Sequence, residues 1–560
     1  MIRKSFYLII LLVFGLVGVK ALFHNGYYTS HDGWHQVARL YHFDDSIRQG
    51  QFPPQWAGKL LHGAGYPLFF FSYSLPWYFA EPLVVWGVTV FDAIKMIYII
   101  GYVLSGITMF FWIRAMWGEK SGLISAILYL WAPYRFSNIF VRGSLGEATC
   151  FVFLPLIFWS FYGLSRQMGK PYIILGSISI ASVILSHAMI VFLLVIPSIL
   201  YLVALLKMTP NAKKFIQNSI SVFFLAAVIS AYYLLPAISY KSITNFRNIF
   251  VDLYKDHFVT LSKLFYSKWG YGFSNMGTDA MSVQLGMAQW VTIALSILFF
   301  LLSFNRFRQN KKEEKRLDSI AMAFLGGFFF SLFMMLKQSS SVWEFTQKIF
   351  IIDFPWRFLS VATFLSSALS GWIITFLKPS YLKNSCIFAL VIITLFTNRN
   401  HLRVNEYTFI PLDLYVASEQ TSNTYDEYLP SWADKSYFMK ENRDFLQSSE
   451  EELDKKITML KNASSIKIFT YAFDHESHAS VDLLYFPGWK VMIDKNEKNY
   501  TRDGLGRISL YLPKGEHTVS IEYAGTLLMA IGKIISVSGI MYVGWFYFNL
   551  IKVHLRYKKS

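Results

Sequence analysis

The sequence predicts an all-α polytopic membrane protein with a small β-sandwich domain outside the bilayer. Three observations predict it. About a dozen near-uninterrupted apolar stretches run from 6–23 to 526–550. Of 560 residues, 54% are hydrophobic, 18% aromatic and only 16% charged, and mean hydropathy is +0.38; a soluble chain of this length needs more polar surface. The basic residues fall in short clusters between the spans, at Arg3 and Lys4, Lys207 to Lys214, Arg306 to Arg316 and Lys552 to Lys559. That is the positive-inside pattern of a membrane protein, and it accounts for the net charge of +17 without nucleic acid.

The charge clusters set the expected topology. Arg3 and Lys4 place the N-terminus in the cytoplasm, and span one (6–23) is expected to be retained, because His24-Asn25-Gly26 follows it with no small-residue cleavage site. The stretch 66–91 is apolar but broken by Pro67, Pro76, Glu81 and Pro82. A full crossing there would put every later basic loop outside, so it is expected to lie in the outer interface. The remaining spans fall near 93–114, 121–133, 148–164, 171–186, 188–206, 216–236, 287–304, 318–336, 356–377, 382–398 and 526–549. This gives about twelve crossings with both termini in the cytoplasm; thirteen, counting 66–91, is the alternative. The domains read as 1–398 (transmembrane, including outer loop 24–92), 399–525 (extracytoplasmic) and 526–560 (final span and basic tail). Within 399–525, 413–461 looks irregular and partly helical. The segments 465–473, 479–486, 489–493, 507–512 and 518–523 read as strands, with turn residues at 494–496 and 513–515. Cys150 and Cys386 lie in apolar segments and build neither a disulfide framework nor a thiolate metal site.

In hydrocarbon a charged side chain must be paired or used, so charges at the outer ends of the spans are the candidates for function. Asp32 lies shortly after span one in Ser30-His31-Asp32-Gly33-Trp34-His35, with Arg39 one helical turn beyond His35. A carboxylate at that depth suits a base that takes a proton from an acceptor hydroxyl; holding a metal or pairing with Arg39 are the alternatives. Arg135, Arg142 and Glu147 border two helix ends, and the planar fork of arginine suits phosphate; an Arg142–Glu147 staple is the plainer account. His187 stands where 171–186 meets 188–206. In Asp353-Phe354-Pro355-Trp356-Arg357, Arg357 falls just inside an apolar helix and needs an anion, from Asp353, Glu147 or a bound phosphate. Lys337 points to the same layer, so Arg135, Arg142, Lys337 and Arg357 read as an anion-binding belt for a lipid phosphate. The aromatic runs 69–78 and 266–273 fit a prenyl chain, a sugar or an interfacial belt. No Walker loop, dinucleotide fingerprint, zinc spacing or nucleophile elbow occurs.

At these residues the chain resembles the GT-C superfamily of membrane glycosyltransferases. More narrowly, it resembles the bacterial and archaeal membrane family labelled "6-pyruvoyl-tetrahydropterin-synthase-related". The resemblance is carried by Asp32-Gly33-Trp34-His35, Gly50-Gln51-Phe52-Pro53-Pro54-Gln55-Trp56, Gly65-Tyr66-Pro67-Leu68-Phe69, Ala132-Pro133-Tyr134-Arg135, Ser186-His187 and Tyr232-Tyr233-Leu234-Leu235-Pro236. Phe354-Pro355-Trp356-Arg357-Phe358, Tyr485-Phe486-Pro487-Gly488-Trp489-Lys490 and Leu512-Pro513-Lys514-Gly515-Glu516-His517 complete it. It implies a polyprenyl-phosphate sugar donor and a plasma-membrane enzyme working on the outer face on an envelope glycan, glycolipid or protein. Asp32 would be the base and Arg357, with Arg142 or Lys337, would hold the leaving phosphate. Glu147 and His187 would orient the substrates, and His35, Arg39 and Asp353 would support. Asp32 is not part of an Asp-x-Asp or Glu-x-Asp pair, so no metal ligand set is assigned and a divalent metal stays open as a cofactor. A transporter or flippase for a lipid-linked saccharide, and a non-catalytic envelope assembly protein, are the rival readings.

Overall fold

The computed structural model describes residues 2–272, 280–303, 312–422, 424, 426–448 and 457–557. Parts of the basic clusters at 306–316 and 552–559, Phe273 of the second aromatic run, and part of 413–461 lie outside the described residues.

Among the described residues, eight helices are long and apolar enough to cross a membrane, and three shorter apolar helices accompany them. The eight include Val90–Trp117, Leu145–Ser165, Lys170–His187, Ala212–Ile229 and the Pro355–Phe376 stretch. The expected count of twelve is therefore met only in part. The expected span 121–133 is the twelve-residue helix Glu119–Leu130. The expected span 188–206 is broken at Leu194 into Met189–Leu193 and Val195–Leu206. The stretch 66–91 forms two short helices, Leu68–Phe71 and Leu75–Val85. Eleven residues reach about 16 Å, half the hydrocarbon thickness, so neither crosses.

The Pro355–Phe376 stretch is central. Of its most apolar window 94% is buried, against 11% for Ser380–His401 and 22% for Leu527–Asn549. Small side chains let its neighbours close in, as membrane helices require. A Cβ on Gly371 would stand 2.6 Å from Ile113, 2.7 Å from Ser125 Oγ and 3.0 Å from the Ser121 carbonyl. Val90–Trp117 packs on Glu119–Leu130 and Leu145–Ser165, which in turn packs on Lys170–His187.

The β region has two antiparallel sheets. Leu446–Ser448, Ser477–Leu484, Arg507–Leu512 and Thr501–Arg502 form one, in that order. Ile457–Asn462, Ile466–Phe473, Gly515–Tyr523, Trp489–Ile493 and Asn496–Lys498 form the other. Alternate residues of Ile466–Phe473, among them Phe469 and Tyr471, point into the core, the period-two burial of a strand with one covered face. Asp494 and Lys495, with φ of 48° and 66°, make the hairpin turn.

The first loop is clamped to this region. Tyr27–Tyr28 pairs with Tyr407–Thr408. Trp56 stacks on Tyr523 at 4.7 Å and meets Trp489 edge-on at 5.3 Å. Ser464 Oγ donates to Asp45 at 2.7 Å, and Lys59 pairs with the same carboxylate at 2.6 Å. Glu419 accepts from the backbone N–H of Leu61 and His62 at 2.6 and 3.2 Å. The helix Gly33–Arg48 thus rests on 399–525 as well as on the bundle.

Candidate active site

Two backbone features build the site. Pro133–Phe136 runs into a π-helical turn, Ser137–Arg142, which ends at Gly143 in the left-handed region with φ of 64°. A π turn is rare and swings successive side chains out of α register. A Cβ on Gly143 would lie 2.4 Å from Ser30 Oγ and 3.2 Å from the Gly33 nitrogen, so glycine lets the first loop touch this turn. The Asp32 N–H donates to the Arg142 carbonyl at 2.8 Å, and the His31 N–H to that of Val141 at 2.9 Å.

Inside the turn lies a buried charge cluster. Arg142 Nη1 donates to Glu147 Oε2 at 2.6 Å and to Tyr134 Oη at 2.9 Å. Arg357 Nη1 reaches the same Glu147 oxygen at 3.2 Å. Glu147 Oε1 accepts from Tyr134 Oη at 2.6 Å and lies 3.0 Å from Ser360 Oγ. Arg357 grips Asp353 with two parallel bonds, Nε at 2.7 Å and Nη2 at 2.8 Å. Its Nη1 also stands 3.4 Å from His187 Nε2, and the Arg142 guanidinium lies over Trp356 at 4.6 Å. The Arg357 guanidinium beside Asp353 holds that carboxyl below its usual range against the opposing effect of burial. Two guanidinium and two carboxylate charges balance, as burial demands.

The Asp32 side chain is 33% exposed, and His35 Nδ1 stands 3.9 Å from its carboxylate. Burial pushes His35 down to about 4, so it is neutral near pH 7. Around Asp32, Gln36 donates to the Gly143 carbonyl at 2.9 Å and accepts from Tyr73 Oη at 2.6 Å. Tyr73 carries the Arg39 guanidinium at 5.7 Å and faces His187 at 6.4 Å. Arg39 Nε donates to the Thr421 carbonyl at 2.8 Å. Gly146 permits this packing, since a Cβ there would be 2.9 Å from the Tyr73 ring.

The structure thus brings Asp32, His35, Arg39, Arg142, Glu147, His187, Asp353 and Arg357 into one connected region. It leaves two expected members out. Arg135 turns into the bundle, 1% exposed, where Phe151, Tyr129 and Tyr102 surround its guanidinium at 4.0, 5.0 and 5.1 Å and Ser105 accepts at 2.9 Å. Aromatic faces stabilise that cation. Lys337 is exposed on the turn Lys337–Ser339, where Lys312–Met335 has ended and the chain bends into Ser340–Ile349. The four-membered cationic belt is therefore two guanidiniums, and their compensating anions are Glu147 and Asp353. Glu147 is 0% exposed with both oxygens engaged, so it anchors the two arginines. Sequence reasoning gave Ser360 and Gln36 no role and singled out neither Tyr134, named only within a motif, nor Tyr73, named only within the aromatic run 69–78; Tyr134, Ser360 and Gln36 had nearness to charged positions as their signal. Among the described residues no three His, Cys, Asp or Glu side chains form a metal-holding group.

No family model matches the chain, and no curated protein matches it; the narrower pterin-labelled likeness gains no support. Solved structures are similar in part, among them the following two. Arabinofuranosyltransferase AftD from Mycobacteria has a TM-score of 0.45 and 11% identity, over 73% of this chain and 27% of that one. The Archaeoglobus fulgidus oligosaccharyltransferase has a TM-score of 0.43 and 12% identity, over 79% of this chain and 60% of that one. The chain therefore spans about a quarter of the first and three-fifths of the second, and at these scores the likeness carries no argument about chemistry.

Proposed function

We propose that this protein is a GT-C-type glycosyltransferase that moves a sugar from a polyprenyl-phosphate donor to a cell-envelope acceptor on the extracytoplasmic face. One observation carries the reading: a partly exposed carboxylate, Asp32, is bonded through its own backbone to a residue of a buried arginine–carboxylate cluster. In the reaction Asp32 accepts the proton of an acceptor hydroxyl as that oxygen attacks the anomeric carbon. The bond from that carbon to the phosphate oxygen breaks, and the phosphate leaves with the electron pair. In this reading Arg357, held by Asp353 and Glu147, and His187, 3.4 Å from its Nη1, supply the donors for the growing charge, with Arg39 over the Tyr73 ring as a further cation. Fixed donors act strongly there because they need no reorganisation as charge develops. Glu147 and Asp353 keep the two guanidiniums aligned and charged. The bilayer delivers the lipid donor, and an envelope glycan, glycolipid or protein receives the sugar.

The test is transfer by purified protein in proteoliposomes, using a radiolabelled polyprenyl-phosphate sugar and extracted envelope acceptor. Label moves with the wild-type chain and stops with Asp32→Asn. Undiminished transfer in the variant removes Asp32 from the mechanism. Headgroup translocation without transfer replaces the enzyme by a flippase.

A further inference from the structure

The helix Ser340–Ile349 joins two spans at the end of the bundle that carries the charge cluster: Lys312–Met335 precedes it and the Pro355–Phe376 stretch follows. Both spans end there, so the helix lies at the level where hydrocarbon meets headgroups. At about 100° per residue its side chains sort into three faces. Trp343 and Gln347 are buried. Val342, Phe345 and Ile349 are 38%, 62% and 64% exposed and share an arc of about 60°. Ser341, Glu344 and Lys348 are exposed on a separate arc of about the same width.

The buried face is fastened to the protein. Trp343 Nε1 donates to the Met334 carbonyl at 2.9 Å, and its ring stacks on Tyr254 at 5.4 Å. Gln347 Nε2 donates to the Ile352 carbonyl at 2.7 Å, which ties the helix to the segment entering Asp353. These bonds fix the rotation of the helix and so aim the apolar arc outward. A helix between protein and water needs two faces; a tight exposed apolar arc beside a polar one marks a third phase. Continuity identifies that phase. Phe350, the residue that caps the helix, stacks on Phe192 with centroids 4.3 Å apart and rings within 14° of parallel. Phe192 is itself exposed and leads into Ile196 and Ile199, exposed along Val195–Leu206. Phe329 and Phe333, one turn apart, are exposed on Lys312–Met335 up to where it ends. The apolar arc therefore prolongs the lipid-facing side of two apolar helices of the bundle.

We propose that Ser340–Ile349 is a membrane-surface helix, with Val342, Phe345 and Ile349 in the acyl layer of the leaflet beside the charge cluster and Ser341, Glu344 and Lys348 in water. It is independent of the reaction proposed for Asp32. The test is site-directed spin labelling of the full chain in vesicles of phosphatidylglycerol and phosphatidylethanolamine. Cys150 is buried, and Cys386→Ser removes the partly exposed native thiol. A nitroxide is then attached in Phe345→Cys or in Glu344→Cys. The label at position 345 is expected to lie about 5–10 Å below the headgroups, open to oxygen and shielded from a water-soluble nickel chelate. The label at position 344, on the polar arc, is expected to show the reverse. Equal nickel access at the two positions overturns the proposal and leaves the helix in water. Shielding of the 345 label from both oxygen and nickel overturns it in favour of a protein contact, and spin–spin broadening there identifies a second copy of the chain.

Discussion

Two carboxylates close to one another in this fold have opposite surroundings. Glu147 is wholly buried, and Tyr134, Arg142 and Arg357 donate to it. Asp32 is a third exposed, and a neutral histidine, His35, stands 3.9 Å from it. The contrast teaches that charge and position alone do not mark a reactive acid. A buried carboxylate engaged by two guanidiniums serves the structure, because removing it leaves cations uncompensated in low dielectric. An acid with room around it and a rigid backbone anchor is free to meet a substrate.

The comparison breaks first at Asp32. Asp32→Asn is expected to lower transfer by about 10²–10⁴-fold and to leave thermal unfolding within about 0.5 kcal/mol of wild type. A large loss of stability with modest loss of rate would make Asp32 another anchor. Glu147→Ala is expected to do the reverse, costing about 3–5 kcal/mol and shifting the denaturant midpoint before any rate is read. An unchanged midpoint would show that the cluster does not depend on it. Arg357→Lys keeps the charge and loses the two-bond fork to Asp353, so about 1.5–3 kcal/mol of stability is expected to go, with transfer falling alongside. Equal midpoints for the two proteins would remove the fork from the account.

The smallest expected effect sharpens the same contrast at a third acid. Glu81, on Leu75–Val85, is buried, and burial together with the Asp44 carboxylate pushes it up to about 7. Its unfolded value is about 4.3, so between these values the folded chain holds more protons than the unfolded one. Stability from this group is therefore present below the lower value and declines as pH rises through the window. The wild-type melting temperature is expected to drop by a few degrees (about 2–4 °C) from pH 5 to pH 7.5. In Glu81→Gln that drop is expected to shrink, and an identical pH profile would refute the assignment.

Much of this was legible along the chain where the governing physics is local. Strands at Trp489–Ile493 and Arg507–Leu512 fall where alternation places them. Asp353 and Arg357 sit one helical turn apart, and Arg142 lies five residues from Glu147, so both pairs follow from spacing. The Arg357–Glu147 bond joins residues 210 apart, and no local pattern contains it. Arg135 shows the opposite failure. Its neighbourhood in sequence suggested the belt, but three rings on Val90–Trp117, Glu119–Leu130 and Leu145–Ser165 hold it inside the bundle. The broken span at Leu194 escaped because hydropathy reads apolarity and is blind to where a helix bends.

The sequence by itself determined that this chain lives in a bilayer, that a β-rich segment precedes the last span, and which charges need partners. Those follow from the cost of polar groups in hydrocarbon and from side-chain periodicity, both properties of short segments. Only the tertiary structure decided which charges share a partner, that Glu147 is sealed while Asp32 is open, and that Arg135 and Lys337 stand apart. Those depend on which helix faces meet, and that choice is made by packing among residues far apart in the chain.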